Sequence, residues 1–345
     1  MLYVTTRNKL DAFTAQRVLA HRRGPEGGLF MPYRIPEISQ EEIYALGHKN
    51  FNANLADTLN LLFGSHLSSY DIDLTLGRHC VRLKQLGQKI IIGESWHNTD
   101  WHVDRMIHDL AVLVSGENYT APELKGWTQI GIRIAILVGI FGELIREKIA
   151  DRENTVDIAL VSGDFAGPVS AWYAREMGLP IGNIICCCNE NATLWDFMCH
   201  GVLRTDGVAA NTVVDEASVT VPEYLEHLIS LYGSTIEIEQ YVQAMHQGSN
   251  YYMDDSSLNR LRQGLYVTVS SEKRILNTIP NAFSTHHYVL SASGALAYAG
   301  LQDYRARSGL TKTSLIMTEK SPVIDSELIG SLLGISENAV KQFIV

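Results

Sequence analysis

Positive charge is scarce in this chain. Its 28 Lys and Arg face 38 Asp and Glu, for a formal net charge of −10. That balance argues against nucleic acid or an anionic membrane surface as the main partner. Cysteine is scarce too. Of the 5 cysteines, three are consecutive, Cys186-Cys187-Cys188, inside an apolar run. Adjacent positions in a strand point to opposite faces, so the triplet suits neither a disulfide framework nor a zinc cage. It reads as small buried core residues, and cysteine usage of this kind implies a reducing, cytoplasmic setting. No long uninterrupted apolar run exists. The longest, Ile130 to Ile145, is broken by Arg133, Gly139, Gly142 and Glu143, which suits a buried helix better than a bilayer span. The N-terminus, MLYVTTRNKLDAF, has neither an apolar h-region nor a cleavage pattern. Internal repeats and low-complexity tracts are absent. The remaining expectation is a small-molecule partner, with no nucleic acid and no membrane.

With 345 residues, 46% of them hydrophobic and 19% charged, the chain can form one large or two ordinary domains. Its most informative stretch runs from Val156 to Gly201. An apolar run, Asp157 to Val161, precedes the turn Ser162-Gly163-Asp164-Phe165-Ala166-Gly167. A helical pattern, Val169 to Met177, follows and stops at Gly178 and Pro180. The next apolar run is Ile181 to Cys188. This is a strand–turn–helix–strand unit with a parallel crossover, and folds of that kind bind ligands at the turn. Further helices are expected at 54–63, 74–86, 127–148, 223–231, 236–246, 256–264, 270–278, 290–307 and 325–345. Strands are expected at 89–93, 265–269 and 313–317. Alternation of this kind predicts an α/β fold with a mostly parallel twisted sheet flanked by helices.

Glu94, His97, Asp100, His102 and Asp104 crowd into eleven positions after the KIIIG strand. They form a polar site at a strand's carboxyl end, with Asp104 or Glu94 as general base and His97 as its partner, or else a solvated loop with Asp100 as an N-cap. No metal is expected, because the His97-x4-His102 spacing is not a tight helical ligand spacing. Arg82, placed on the 74–86 helix near Arg78 and His79, is a candidate for a substrate carboxylate or a surface arginine. Asp164, Phe165 and Gly167 form either a ligand turn or a structural one. A ligand at Asp164 would be an amine rather than a phosphate.

Several of these stretches resemble threonine synthases in the same order. Tyr3-Val4-Thr5-Thr6-Arg7 and Gly24-Pro25-Glu26-Gly27-Gly28-Leu29-Phe30-Met31-Pro32 resemble that family's opening. SGDFAGPVSAWYAREMGLPI resembles its TGNFG loop and KKMGLPI helix end. Cys188-Asn189-Glu190-Asn191 and Ser284-Thr285-His286-His287 resemble its Thr-Asn-Glu-Asn and Asp-Pro-His-Thr segments. The resemblance implies the large domain of a type II PLP enzyme, a class in which this family makes threonine from O-phosphohomoserine. It also places Asp104 where the family has its Schiff-base lysine and Asp164 where its phosphate loop has asparagine. Tyr288 stands where the family's threonine faces the cofactor ring. A carboxylate cannot form an imine, so no cofactor is expected. The chain is read as one domain, with an N-terminal part at 1–90, the main sheet at 91–345, and the family's small mobile subdomain deleted near 111–126. The expected function is PLP-independent acid/base chemistry on an amino acid or amine, of the imine or Pictet–Spengler condensation type. A non-catalytic ligand-binding pseudoenzyme and a PLP-dependent threonine synthase are the alternatives, and a homodimer is one assembly open to the chain. Glu94, His97 and Asp104 are the candidate catalytic residues. Arg82, Asp100, His102, Asp164, Phe165, Gly167 and Tyr288 are the candidate substrate contacts.

Overall fold

The structure is a computed structural model that describes residues 1–77, 81–97, 102–116 and 125–344. The chain opens with β1 (Leu2–Thr5), β2 (Phe13–Thr14), α1 (Ala15–Ala20) and β3 (Phe30–Pro32), and these strands form a small antiparallel sheet ordered β2-β1-β3. Helices α2 (Gln40–Leu46), α3 (Phe51–Phe63) and α4 (Ser69–Leu76) follow, each opened by a side-chain cap from Ser39, Asn50 and Ser68 respectively. Next come β4 (Arg82–Leu86), β5 (Ile90–Glu94), α5 (Val103–Ser115), α6 (Trp127–Arg146), β6 (Val156–Val161), α7 (Ala166–Glu176) and β7 (Ile181–Cys188). The third quarter of the chain holds α8 (Thr193–His200), a two-stranded ribbon of β8 (Val202–Leu203) and β9 (Tyr251–Tyr252), α9 (Leu225–Tyr232), α10 (Thr235–Gln247) and α11 (Asp255–Leu261). The chain ends with β10 (Leu265–Val269), α12 (Glu272–His286), α13 (Ala292–Ser308), β11 (Ser314–Thr318), α14 (Ser326–Leu333) and α15 (Glu337–Ile344).

The main sheet is ordered β10-β7-β6-β11-β5-β4. All its pairings are parallel except the β4–β5 hairpin. A parallel sheet must be covered on both faces. α6 and α7 pack together over one face, and α12 and α13 cover the other. β7 shows the alternation directly: Cys186 and Cys188 belong to the core on the α7 side, and Cys187 belongs to the core under α13. The cysteine triplet is thus the buried core material expected. α6 has the length and composition to cross a membrane, but most of it is buried inside the fold. Its glycines face α3 and its neighbours. A methyl group at Gly139 would lie 2.6 Å from the Phe51 ring, and one at Gly142 would collide with the Asn54 amide, which donates to Leu46 O at 2.9 Å.

The 74–86 helix expectation is overturned. α4 ends at Leu76, before Gly77 with φ at 76°, and 82–86 is an edge strand whose Arg82 lies opposite Glu94 and Leu86 opposite Ile90. Gly87, with φ at 65°, makes the turn between the two strands, and the gain of cross-strand bonds outweighs a weak helical period. The main sheet therefore begins at Arg82, inside the stretch assigned to the N-terminal part. The tail expected as one helix is two, because Gly334 ends α14 in the left-handed region. The N-terminal sheet is tied to α9 by Arg7, whose Nε and Nη2 each donate to the buried Glu226 carboxylate at 3.0 Å.

Gly142→Ala is expected to lower stability by about 2 kcal/mol, since the new methyl must break the Asn54–Leu46 bond or spread two helices. Urea unfolding would measure it, and an unchanged midpoint would contradict this account of α3–α6 packing.

Candidate functional site

The direction of the connections fixes where a crevice can form. After β6 the chain turns to α7 on one face, and after the neighbouring β11 it leads to α14, which packs with α12 on the other face. Where adjacent strands send their connections to opposite faces, a gap opens beyond their carboxyl ends. A cleft of ≈ 770 Å³ lies there, lined by residues that follow β5, β6 and β11, including Asp104, Asp164, Glu319 and Lys320.

Asp104 begins α5. Its backbone N–H donates to His102 Nδ1 at 3.0 Å, which caps the helix, and its carboxylate lies 3.2 Å from the same nitrogen. The Asp104 side chain is 70% exposed, so an incoming ligand can reach it. Asp164 is held more tightly. Its Oδ1 accepts the Ala166 N–H at 3.0 Å at the start of α7. Burial raises its pKa, the Ala166 N–H and Arg133 oppose that shift, and Glu319 and Glu223 reinforce it. Phe165 takes a left-handed backbone, φ 77°, and its ring is fully buried in the core. It shapes the turn, while Gly167 lines the cleft.

The sequence-predicted residues divide into two groups. His102, Asp104, Asp164 and Gly167 meet in the cleft. Glu94, Arg82 and Tyr288 meet each other elsewhere, on the β4–β5 hairpin. Arg82 Nε bonds the Glu94 carboxylate, and Tyr288 Oη donates to Glu94 Oε1 at 2.6 Å. Glu94 is 1% exposed. Burial, then the Glu94 charge, raises the Tyr288 hydroxyl far above its usual pKa. His97 packs edge-on against Trp96, and its N–H reaches Glu94 O at 3.3 Å. Neither Glu94 nor His97 lines the cleft. Asp100, like Arg78, His79 and Trp101, lies outside the described residues, as do residues 117–124 of the 111–126 segment.

The cleft also holds residues that the sequence reading missed. Lys320 Nζ bridges Asp215 at 2.6 Å and Glu216 at 2.8 Å. Burial, then the hydrogen-bonded Asp215, pushes Glu216 up to about 7, while the Glu216 bond and Lys320 hold Asp215 low. Arg133, on α6, pairs with Glu319. Glu319 and Lys320 follow the last sheet strand directly, so their position at a carboxyl end was a usable signal. Asp215 and Glu216 sit in an irregular stretch with no period to mark them. Among the described residues, no three His, Cys, Asp or Glu side chains are grouped to hold a metal ion.

The fold and cleft together define an α/β protein with an open cleft at the carboxyl ends of a parallel sheet. Residues 2–76 match the family model for the threonine synthase N terminus. The human protein threonine synthase-like 1 is 23% identical over 178 residues, a match covering 50% of this chain and 23% of that protein. Threonine synthase of Methylobacillus glycogenes is 41% identical over 63 residues, covering 18% of this chain and 13% of that protein. The chain thus spans less than a quarter of the length of these relatives. Among solved structures, PLP-bound threonine synthase from Brucella melitensis superposes with a TM-score of 0.83 at 15% identity, covering 97% of this chain and 92% of that one. Yeast threonine synthase gives 0.82 at 14% identity, covering 99% and 93%. Residues 2–76 are thus similar to the N terminus of threonine synthases, and the fold of the chain is that of the solved threonine synthase structures.

Arg82→Met would leave Glu94 buried beside Tyr288 without its cation, at an expected cost of about 3 kcal/mol. Asp104→Asn, at an exposed position, should change stability by less than about 0.5 kcal/mol. Thermal unfolding of the two variants side by side checks the division into a structural hairpin cluster and an open cleft.

Proposed function

We propose that the cleft binds the ammonium group of an amino acid or amine and promotes acid/base chemistry on it without covalent PLP. Imine formation or Pictet–Spengler-type condensation with an aldehyde is the reaction type. The supporting observation is the balance of charge. Five carboxylates line the cleft, from Asp104, Asp164, Asp215, Glu216 and Glu319, against the cations of Lys125, Arg133 and Lys320. Two of those cations are already committed, Arg133 to Glu319 and Lys320 to Asp215 and Glu216. Asp104 and Asp164 are left to receive a positive ligand. An amine must lose a proton before it attacks a carbonyl. Glu216, titrating near neutrality, is suited to take that proton and to return it when water leaves.

The same residues do not fit a phosphorylated cofactor held through a lysine. A helix N-terminus is an anion site, but that of α7 already carries the Asp164 carboxylate on the Ala166 N–H. A phosphate dianion would meet this charge with Glu319 close by, because a methyl at Gly167 would sit 3.8 Å from Glu319 Oε1. The start of α5 offers Asp104 rather than an amine. Lys320 is held by two carboxylates, and Lys125 is exposed.

Amine binding should strengthen as pH rises through Glu216's titration near 7. Glu216 is neutral below that point and anionic above it, while the amine stays protonated throughout. Affinity measured calorimetrically is expected to rise about tenfold between about pH 6 and about pH 8, and Glu216→Gln should flatten the profile. A flat wild-type profile would remove Glu216 from the reading. Uptake of PLP by the purified protein, seen as a yellow absorbance band lost on Lys320→Met, would overturn it.

A further inference from the structure

Aspartate is followed by glycine once in the chain, at Asp206-Gly207, and no asparagine precedes a glycine. The pair lies in the irregular stretch after β8, outside every helix and strand, and both residues are exposed. Hydrogen bonds pin that stretch on either side. Thr205 Oγ1 donates to Ser249 O at 2.7 Å, and Ala210 accepts from and donates to the Asn191 amide at 2.9 and 2.7 Å. Between these anchors, among the described residues, neither the Asp206 carboxylate nor the Gly207 N–H has a hydrogen-bond partner. Aspartate precedes serine at Asp255 and Asp325, and both are restrained. Asp255 opens α11, and Asp325 Oδ2 accepts the Ala292 N–H at 2.7 Å.

We propose that Asp206 is a modification site, converted to isoaspartate in the folded protein and then open to a protein carboxyl methyltransferase. The Gly207 nitrogen attacks Asp206 Cγ. A C–N bond forms, the carboxyl C–O bond breaks, and the hydroxyl leaves with the amide proton as water, giving a cyclic succinimide. Water then adds to either ring carbonyl. Opening at Cγ restores aspartate. Opening at the main-chain carbonyl leaves the peptide running through Cβ and Cγ, with a free α-carboxylate for the methyltransferase. Nothing is oxidised or reduced, and the mass is unchanged. Glycine permits the attack, because it has no Cβ to shield its nitrogen and its backbone turns freely toward the carboxyl. Exposed loop positions of this kind are where backbone chemistry concentrates, since regular hydrogen bonds hold the amide nitrogens of helices and strands in place. The added main-chain carbon falls beside the cleft wall. A methyl at Gly207 would sit 3.2 Å from Thr220 Cγ2, and the adjoining Val219 lines the cleft.

The test is ageing of the purified full chain at neutral pH and physiological temperature, beside a synthetic peptide spanning 203–211. After denaturation, digestion with a protease that cuts before aspartate but not before isoaspartate reads the site, and enzymatic carboxyl methylation with a labelled methyl donor follows the new carboxylate. The folded chain is expected to lose the cut before Asp206 at a rate of the same order as the peptide, with methyl ester appearing in step, while the cut before Asp325 persists. Asp206→Glu, which would need a larger ring, and Gly207→Ala, which shields the nitrogen, should each suppress the methyl ester. Persistence of the cut before Asp206 in the aged wild-type chain overturns the proposal, as does loss of the cut without methyl ester, or equal methyl ester in the Asp206→Glu protein. The wild-type comparison with the peptide stands without either variant, so misfolding at 206 or 207 cannot mask the outcome.

Discussion

A parallel sheet cannot leave either face to water, and most of this molecule follows from that constraint. Five parallel strands demand two helical layers, so the chain must change faces at least once. It does so between β6 and β11, and at that change backbone from several connections converges without filling the space between them. The carboxylates of the cleft do not create the pocket. They occupy a gap that the connectivity has already made, and their chemistry can vary while the fold does not.

The contents of that gap differ in kind from the polar cluster nearby. On the β4–β5 hairpin, Arg82, Glu94 and Tyr288 satisfy one another, and Glu94 is sealed from water. Such a cluster fixes geometry and costs heavily when one partner is removed. In the cleft, Asp104 is open to solvent, Asp164 is held half by its helix, and Arg133 has donors to spare. Groups with unmet bonding capacity around a space large enough for a ligand are what separates a site from a salt bridge.

Much of the fold could be read from the sequence, because the signals were long and local. The β6–α7–β7 unit, the buried α6 and the alternating cysteines of β7 all follow from period and from glycine and proline stops. The failures have physical causes. The expected 74–86 helix rested on a weak period, and in its 82–86 part cross-strand pairing with β5 overrode it. Glu94 and Asp104 stand ten positions apart in the sequence, yet the one closes onto the hairpin while the other opens α5 onto the cleft. Asp215, Glu216 and Lys320 meet only because a long irregular segment returns to the end of β11, and no local pattern encodes that return. Arg133 read as an interruption in an apolar helix, which it is, and its partner lies 186 residues away.

The clasp between Arg7 and Glu226 bears on how the chain is made. It joins residues 219 apart, so the contact beside β1 cannot form until α9 has been synthesised. Before that, the Arg7 guanidinium just after β1 lacks the buried carboxylate that holds it. Loop closure over such a span is slow. The small sheet therefore depends, for its side-chain anchor, on a helix made more than two hundred residues later.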